Sequence, residues 1–271
     1  MTFTGTRQGL LYGVCVAALV AGTQLQGVAQ VPGPGRAETY AVLGAGKGAQ
    51  FSLPQVRLAD EAASQRINRT IARAVLALAK TPVDTTASLS KQLRQVATTD
   101  CCLTGSRFQV LLNQGYLLSV KLSMEFRGTP SYEQQRYLVF DLSSGQRLPL
   151  SALVADPPAQ LAHRLETAVN RRMGEFLADS ATRKHPGRAA LAQTLHWNAT
   201  KRQVDFAGGA PAVSLQEFAL TPHALVLLYP TNQQAATLAD VPEETYRFPY
   251  ARLQAQGRLA ELVQKNTPAA R

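Results

Sequence analysis

The sequence predicts an α+β domain in which two long helices pack on one face of an antiparallel sheet. Three observations support this fold class. Residues 116–126 alternate apolar and polar side chains with a period of two, which indicates a strand with one buried face. Two segments, one from Asp60 and one from Pro157 or Pro158, carry apolar residues at helical spacing. Short turns between the predicted strands favour antiparallel pairing.

Two short strands are predicted first, at residues 40–43 and 51–56, and Pro54 favours an edge or a bulge for the second. The glycine-rich residues 44–48 between them resemble a dinucleotide-binding turn. Such a turn needs a helix directly after it, to hold a pyrophosphate on free backbone N–H groups. Because a strand follows instead, we expect a glycine loop and no cofactor.

The first long helix is predicted to begin at Asp60, a suitable N-cap residue, and to end before Pro82. Residues 83–106 are polar, with a short helix predicted near 90–96. Four strands then follow at residues 108–112, 116–126, 137–142 and 147–150.

The second long helix is predicted from Pro157 or Pro158, since proline suits a first helical turn, to about Ala178. The rest of the domain is predicted as a short helix at 188–195, strands at 213–220, 224–228 and 245–248, and a terminal helix at 251–264 interrupted by Gly257.

The N-terminus has the parts of a secretory signal peptide. Arg7 precedes an apolar stretch, residues 9–22, which is shorter than the roughly 20 residues that span a bilayer. The small residues Gly27 and Ala29 suit a signal peptidase, so we place the signal peptide at residues 1–29. An uncleaved membrane anchor is the alternative.

The rest of the chain divides into a flexible, Pro/Gly-rich leader at 30–50 and a single α+β domain at 51–265. No later apolar run approaches membrane-spanning length, so we expect no transmembrane segment in the mature chain. We expect an exported protein, periplasmic or secreted. Adjacent Cys101 and Cys102 could then form a vicinal disulfide, remain buried thiols, or make an intermolecular bridge.

The charge balance favours anionic partners. The net charge is +10, and loss of Arg7 with the signal peptide leaves +9. Cell-wall polymers, acidic glycans and anionic headgroups fit this charge, whereas export argues against nucleic acid. One candidate contact surface is the loop with Arg127, Thr129 and Tyr132 at a sheet end. The other is a basic cluster of Arg171, Arg172, Arg183, Lys184, Arg188, Lys201 and Arg202.

Catalytic motifs are absent from the sequence. It contains no His-Glu-x-x-His, no Gly-x-Ser-x-Gly and no Ser-x-x-Lys at a helix start. We therefore expect a binding module, not an enzyme. A hydrolase whose polar side chains converge only in space, and a structural partner in an envelope assembly, are the alternatives.

One stretch carries a family resemblance. Residues 137–153 contain Phe-Asp-Leu-Ser-Ser-Gly-Gln-Arg-Leu-Pro-Leu-Ser-Ala-Leu, and the preceding strand, 116–126, has a matching pattern. Together with segments over residues 50–254, this run resembles the non-catalytic extracellular domain shared by RsiV-type anti-sigma factors and PdaC-type peptidoglycan deacetylases. The resemblance implies a non-enzymatic, envelope-facing α+β domain. In the anti-sigma factors this domain binds lysozyme.

Overall fold

The structure, a computed structural model, describes residues 35–45, 50–80, 88, 91–92, 95, 103–128, 132–179, 186–231 and 242–266. The predicted signal peptide and both Cys101 and Cys102 lie outside these ranges. Within the described residues, no helix combines the length and apolar character needed to cross a membrane.

The α+β class is confirmed. The strands are β1 (Glu38–Ala45), β2 (Gln50–Arg57), β3 (Leu103–Gln114), β4 (Leu117–Phe126), β5 (Tyr132–Asp141), β6 (Phe218–Leu220), β7 (Ala224–Leu228) and β8 (Thr245–Pro249). The helices are α1 (Glu61–Leu78), α2 (Pro158–Ala178), α3 (Pro186–Thr194) and α4 (Gly257–Asn266).

The strands of the described chain form two sheets. The larger has the order β1-β2-β3-β4-β5 and the smaller β6-β7-β8. All neighbouring strands pair antiparallel except β2 and β3, which are parallel. The larger sheet is therefore mixed, whereas the sequence predicted an antiparallel sheet. Parallel neighbours need a long crossover, and the chain between β2 and β3, which includes α1, provides it.

Strand β4 and its predicted apolar face are confirmed, but the prediction of a single buried face is wrong, because Ser119 and Ser123 on the opposite face are buried too. Its five apolar side chains, Leu118, Val120, Leu122, Met124 and Phe126, are all buried in one cluster. The same cluster contains the apolar stripe of α1. This helix therefore covers the face of the larger sheet that the sequence pattern identifies as buried.

The opposite face of the larger sheet packs on the smaller sheet. Tyr137 of β5 lies in a cluster with Ala219, Val226 and Leu228 of β6 and β7. The Oγ of Ser119 accepts a hydrogen bond from the backbone N–H of Leu220 at 3.0 Å, and this also links the two sheets.

Helix α2 covers the other side of the smaller sheet. Its Leu165 and Val169 are fully buried in a cluster with Phe218, Leu225 and Leu227. The two long helices therefore pack on different sheets, whereas the expectation placed both on one face. The reason is that both faces of β4 are buried: α1 packs on one face, and the smaller sheet, with α2 behind it, packs on the other.

Three helix starts can be compared with the predictions, and two of them, those of α1 and α2, agree. The side chain of Asp60 accepts a hydrogen bond from the N–H of Ala63 at 3.1 Å, which is the N-cap expected of it. Helix α2 begins at Pro158 as predicted. Gly257, however, starts α4 with φ of 53° instead of interrupting a helix from residue 251.

Two other segments differ in extent from the predictions. Strand β1 contains the strand predicted at residues 40–43 and is longer; it lies within residues 30–50, the segment assigned to the leader, so the larger sheet begins at Glu38. The predicted strand at 147–150 contributes a single bridge, between Arg147 and Phe140, followed by a 3-10 turn at Leu150–Ala152.

Candidate functional site

A strongly basic groove lies between α2 and β8. Its volume is about 510 Å³. We call it the arginine groove. It is lined by His163, Arg164, Thr167, Ala168, Arg171, Arg247, Phe248, Pro249 and Arg252.

Helix α2 supplies one wall of the groove. Arg164, Ala168 and Arg171 follow each other at steps of four and three, so they share one stripe of the helix. Leu165 and Val169, on a neighbouring stripe, are fully buried. The buried stripe sets the rotation of the helix, and this rotation places the arginine stripe beside β8.

Strand β8 and the 3-10 turn after it, Tyr250–Arg252, supply the second wall. Tyr250 is buried, and its hydroxyl donates to the carbonyl of Thr221 at 2.5 Å. This bond anchors the turn. Arg247 and Arg252 are exposed, and Phe248 is half-buried in the groove.

One arginine of the groove is already neutralised. The Nη1 of Arg164 lies 3.0 Å from the Oδ1 of Asp156, whose side chain is 1% exposed. The contact is an ion pair that lacks the alignment of a hydrogen bond, because the Oδ1 of Asp156 has no hydrogen-bond partner in the described chain. Arg164 also donates to the carbonyl of Arg252 at 2.9 Å. It therefore ties α2 to the turn after β8.

Arg171, Arg247 and Arg252 make no ion pair with any other residue in the described ranges. The Nδ1 of His163, which also lines the groove, lies 3.8 Å from the Oε2 of Glu166 on the same helix. Unpaired like charges around one concave surface create a positive potential that attracts anions. The planar donor fork of a guanidinium matches carboxylate and phosphate oxygens.

A larger hollow, of about 760 Å³, lies near the N-terminal end of α2. Its lining is mainly apolar, with side chains such as Leu148, Pro149 and Phe218, and its polar members include Arg147 and Asp156. Asp156 is already engaged by Arg164. This hollow therefore shows less unsatisfied charge than the arginine groove.

The structure separates the predicted basic cluster. Arg171 lines the groove, whereas Arg172 is a structural residue: its Nη1 donates to the carbonyls of Glu243 at 2.5 Å and Thr245 at 2.7 Å. Its guanidinium also lies 4.1 Å from the ring centroid of Tyr246. Arg188 donates to the carbonyl of Leu177. Arg183 and Lys184 fall outside the described residues.

The predicted loop at the sheet end is described only in part. Arg127 is exposed, and Tyr132 is 37% exposed and stacks on Phe126, with ring centroids 5.1 Å apart. Thr129 lies outside the described residues. Arg127 directly follows β4 and Tyr132 begins β5 of the larger sheet, and neither residue lines the arginine groove.

Sequence reasoning missed three arginines of the groove: Arg164, Arg247 and Arg252. The spacing of Arg164 from Arg171 is a helical signal that could have found it. Arg247 and Arg252 carry no local signal, because they join the groove only through the packing of β8 beside α2. Within the described residues, no group of three His, Cys, Asp or Glu side chains could hold a metal ion.

The fold and groove define an α+β domain with a basic concave surface, and comparisons place it among known folds. The chain is similar in structure to a DUF3298 family protein from Pseudomonas aeruginosa PAO1, at 18% identity and a TM-score of 0.54, over 84% of this chain and 97% of that one. DUF3298 is an uncharacterised domain family, and at this identity the likeness shows the fold alone.

A second solved structure, a member of the DUF3298 family from Bacteroides fragilis NCTC 9343, has 12% identity and a TM-score of 0.47, over 84% of this chain and 96% of that one. No protein-family profile matches the chain, and no curated protein matches it.

Proposed function

We propose that this chain is an exported, non-enzymatic binding module of the bacterial cell envelope that contacts an anionic envelope polymer or protein. The observation that carries the proposal is the arginine groove. Arg171, Arg247 and Arg252 surround it without a carboxylate partner in the described chain. An anionic ligand would supply the missing counter-charge.

Three features of the sequence support the envelope location. The N-terminal 29 residues have the pattern of a signal peptide, and the net charge of +10 suits anionic envelope polymers. The run at residues 137–153 resembles the extracellular domain of RsiV-type and PdaC-type proteins, which faces the envelope. We extend this resemblance to a binding role, and we prefer a polymer because three unpaired arginines around one groove suit a chain of repeated anionic groups.

The proposal is tested by producing the full chain with its own N-terminus in a bacterial host. We expect the protein outside the cytoplasm, with Gln30 as its first residue. The recovered protein is then mixed with purified cell-wall polymers, and with a neutral glycan as the control.

Retention on the anionic polymer should fall strongly between about 0.05 M and 0.5 M salt, because the Debye length shortens over that range. Equal retention on the neutral glycan, or retention that salt does not change, would contradict the proposed electrostatic binding. An intact N-terminus on a cytoplasmic protein would contradict export.

A further inference from the structure

The backbone of β8 identifies what kind of ligand the groove accepts. The N–H of Tyr229 donates to the carbonyl of Glu244, and the N–H of Tyr250 donates to the carbonyl of His223. Even-numbered residues of this strand therefore direct their backbone groups toward β7. Since these groups alternate along a strand, those of Thr245, Arg247 and Pro249 point to the outer edge.

The outer edge of β8 is closed to strand addition. The carbonyl of Thr245 already accepts a hydrogen bond from Arg172 at 2.7 Å. Pro249 has no N–H to donate. Arg247, which lines the groove, is thus the edge residue whose N–H and carbonyl both lack a partner in the described chain, and one residue is too few for an added peptide strand.

The other polar groups of the groove indicate an anion. The hydroxyl of Thr167 donates to the carbonyl of His163 at 2.8 Å, so its proton is in use. The polar groups left for a ligand are the backbone N–H and carbonyl of Arg247, the imidazole of His163, and three guanidinium groups, those of Arg171, Arg247 and Arg252. The guanidinium groups only donate, and each carries a positive charge, so donors and positive charge dominate the groove.

We propose that the arginine groove binds oxyanion groups, phosphate or carboxylate, carried on a linear polymer, and that it does not bind an extended peptide. The N–H of Arg247 and the guanidinium groups of Arg171, Arg247 and Arg252 hold the anion. The stripe from Arg164 to Arg171 covers about 10 Å of helix, at about 1.5 Å per residue, which is room for more than one charged group of a polymer. The polymer part of this inference rests on the proposed function.

The test uses the full chain and two variants with the same loss of charge. The groove variant is Arg171→Gln/Arg247→Gln/Arg252→Gln. The control variant is Arg69→Gln/Arg73→Gln/Lys265→Gln, whose side chains are exposed on α1 and α4. Thermal unfolding of each variant confirms that it is folded before binding is measured.

The ligands are inorganic phosphate, acetate, poly(glycerol phosphate) and polygalacturonate. For the groove variant we expect polymer affinity to fall by about tenfold or more, because hydrogen bonds to charged groups are strong. For the control variant we expect a fall of less than about threefold, because dispersed surface charges are screened. The ratio of the two polymer affinities distinguishes a phosphate polymer from a carboxylate polymer.

A second measurement follows the backbone. In amide NMR spectra of the folded chain, the Arg247 signal should move when phosphate or acetate is added, and it should move less in the groove variant. Equal losses in the two variants, or an Arg247 signal that no anion moves, would overturn the inference.

The outcomes separate the two proposals. If salt-sensitive polymer binding persists in the groove variant, the groove assignment is wrong while the proposed function stands. If phosphate or acetate binds at Arg247 but no envelope polymer is retained, the anion site stands and the proposed function fails.

Discussion

Helices α1 and α2 are similar in length and amphipathic character, yet only one of them forms part of a candidate site. Arg69 and Arg73 of α1 are exposed, and neither makes an ion pair within the described chain. Arg171 of α2 is also exposed and unpaired, but it lies in a groove with Arg247. The difference shows that a basic helix face becomes a candidate site when a second element brings further charges beside it.

The same contrast holds between two adjacent residues of α2. Arg172 donates to two carbonyls at the start of β8 and lies over the ring of Tyr246. Arg171 makes none of these contacts and lines the groove. One residue therefore attaches β8 to the helix, and its neighbour is available to a ligand.

The largest expected effect tests whether the two helices belong to one cooperative unit. Leu76→Ala in α1 and Leu165→Ala in α2 each remove a side chain that is 0% exposed. Each should lower the free energy of unfolding by about 2–5 kcal/mol, because truncation loses apolar burial and leaves a cavity. Urea unfolding followed by circular dichroism measures both.

We expect a single unfolding transition in each variant, and losses that add in the double variant within about 0.5 kcal/mol, since the side chains belong to separate clusters. Two separate transitions would show that the α1 and α2 layers unfold independently.

A smaller effect distinguishes the two arginines. Arg172→Ala should cost about 1–3 kcal/mol of stability, because it removes charged hydrogen bonds to Glu243 and Thr245 and the contact with Tyr246. Arg171→Ala should change stability by less than about 0.5 kcal/mol. Chemical denaturation measures both, with Arg69→Ala as the surface control. Similar losses for Arg171 and Arg172 would remove the distinction between them.

The smallest effect concerns alkaline pH. Burial raises the pKa of Tyr229 and of Tyr246 from 10.0 to about 12, and it also raises that of Tyr250. All three tyrosines lie in the apolar cluster that contains Leu165 and Val169 of α2. The native state keeps these protons when the unfolded state has lost them, so stability should fall as pH rises from about 10 toward 12.

Tyr246→Phe should reduce this alkaline loss by about 1 kcal/mol at pH 11 and change stability little at pH 7. The buried Tyr246 hydroxyl makes no hydrogen bond of standard geometry within the described residues, although the nearby Arg172 guanidinium partly offsets the rise in its pKa, so its removal should cost little at neutral pH. Unfolding measured at pH 7, 10 and 11 provides the comparison. An unchanged slope would show that another group causes the alkaline loss.

Much of the fold could be predicted because its signals are local. The five alternating apolar residues of β4 form the face that α1 covers, and Asp60 and Pro158 mark helix starts. The burial of Ser119 could not be predicted, because its partner Leu220 is 101 residues away. A short polar side chain on a strand normally indicates a solvent-exposed face, whereas Ser119 faces the second sheet.

The groove was predictable only on the helix side. The basic residues near Arg171 in the sequence predict that it belongs to a contact surface, and the seven-residue spacing from Arg164 places both arginines on one helix face. Arg247 and Arg252 belong to a strand and a turn whose position beside α2 depends on long-range packing. The same limitation explains Arg172, because no local pattern reveals that its partners are the carbonyls of Glu243 and Thr245.

Glu217 has a consequence for how the protein behaves at high concentration. β5 is an outer strand of the larger sheet, and the N–H of Tyr137 on it donates to the Oε2 of Glu217 at 3.0 Å. Arg136 holds the other carboxylate oxygen at 2.6 Å. A strand of a second molecule could pair with β5 at this point only by displacing the Glu217 carboxylate from Arg136 and from the N–H of Tyr137. The carboxylate therefore disfavours self-association through the edge of β5.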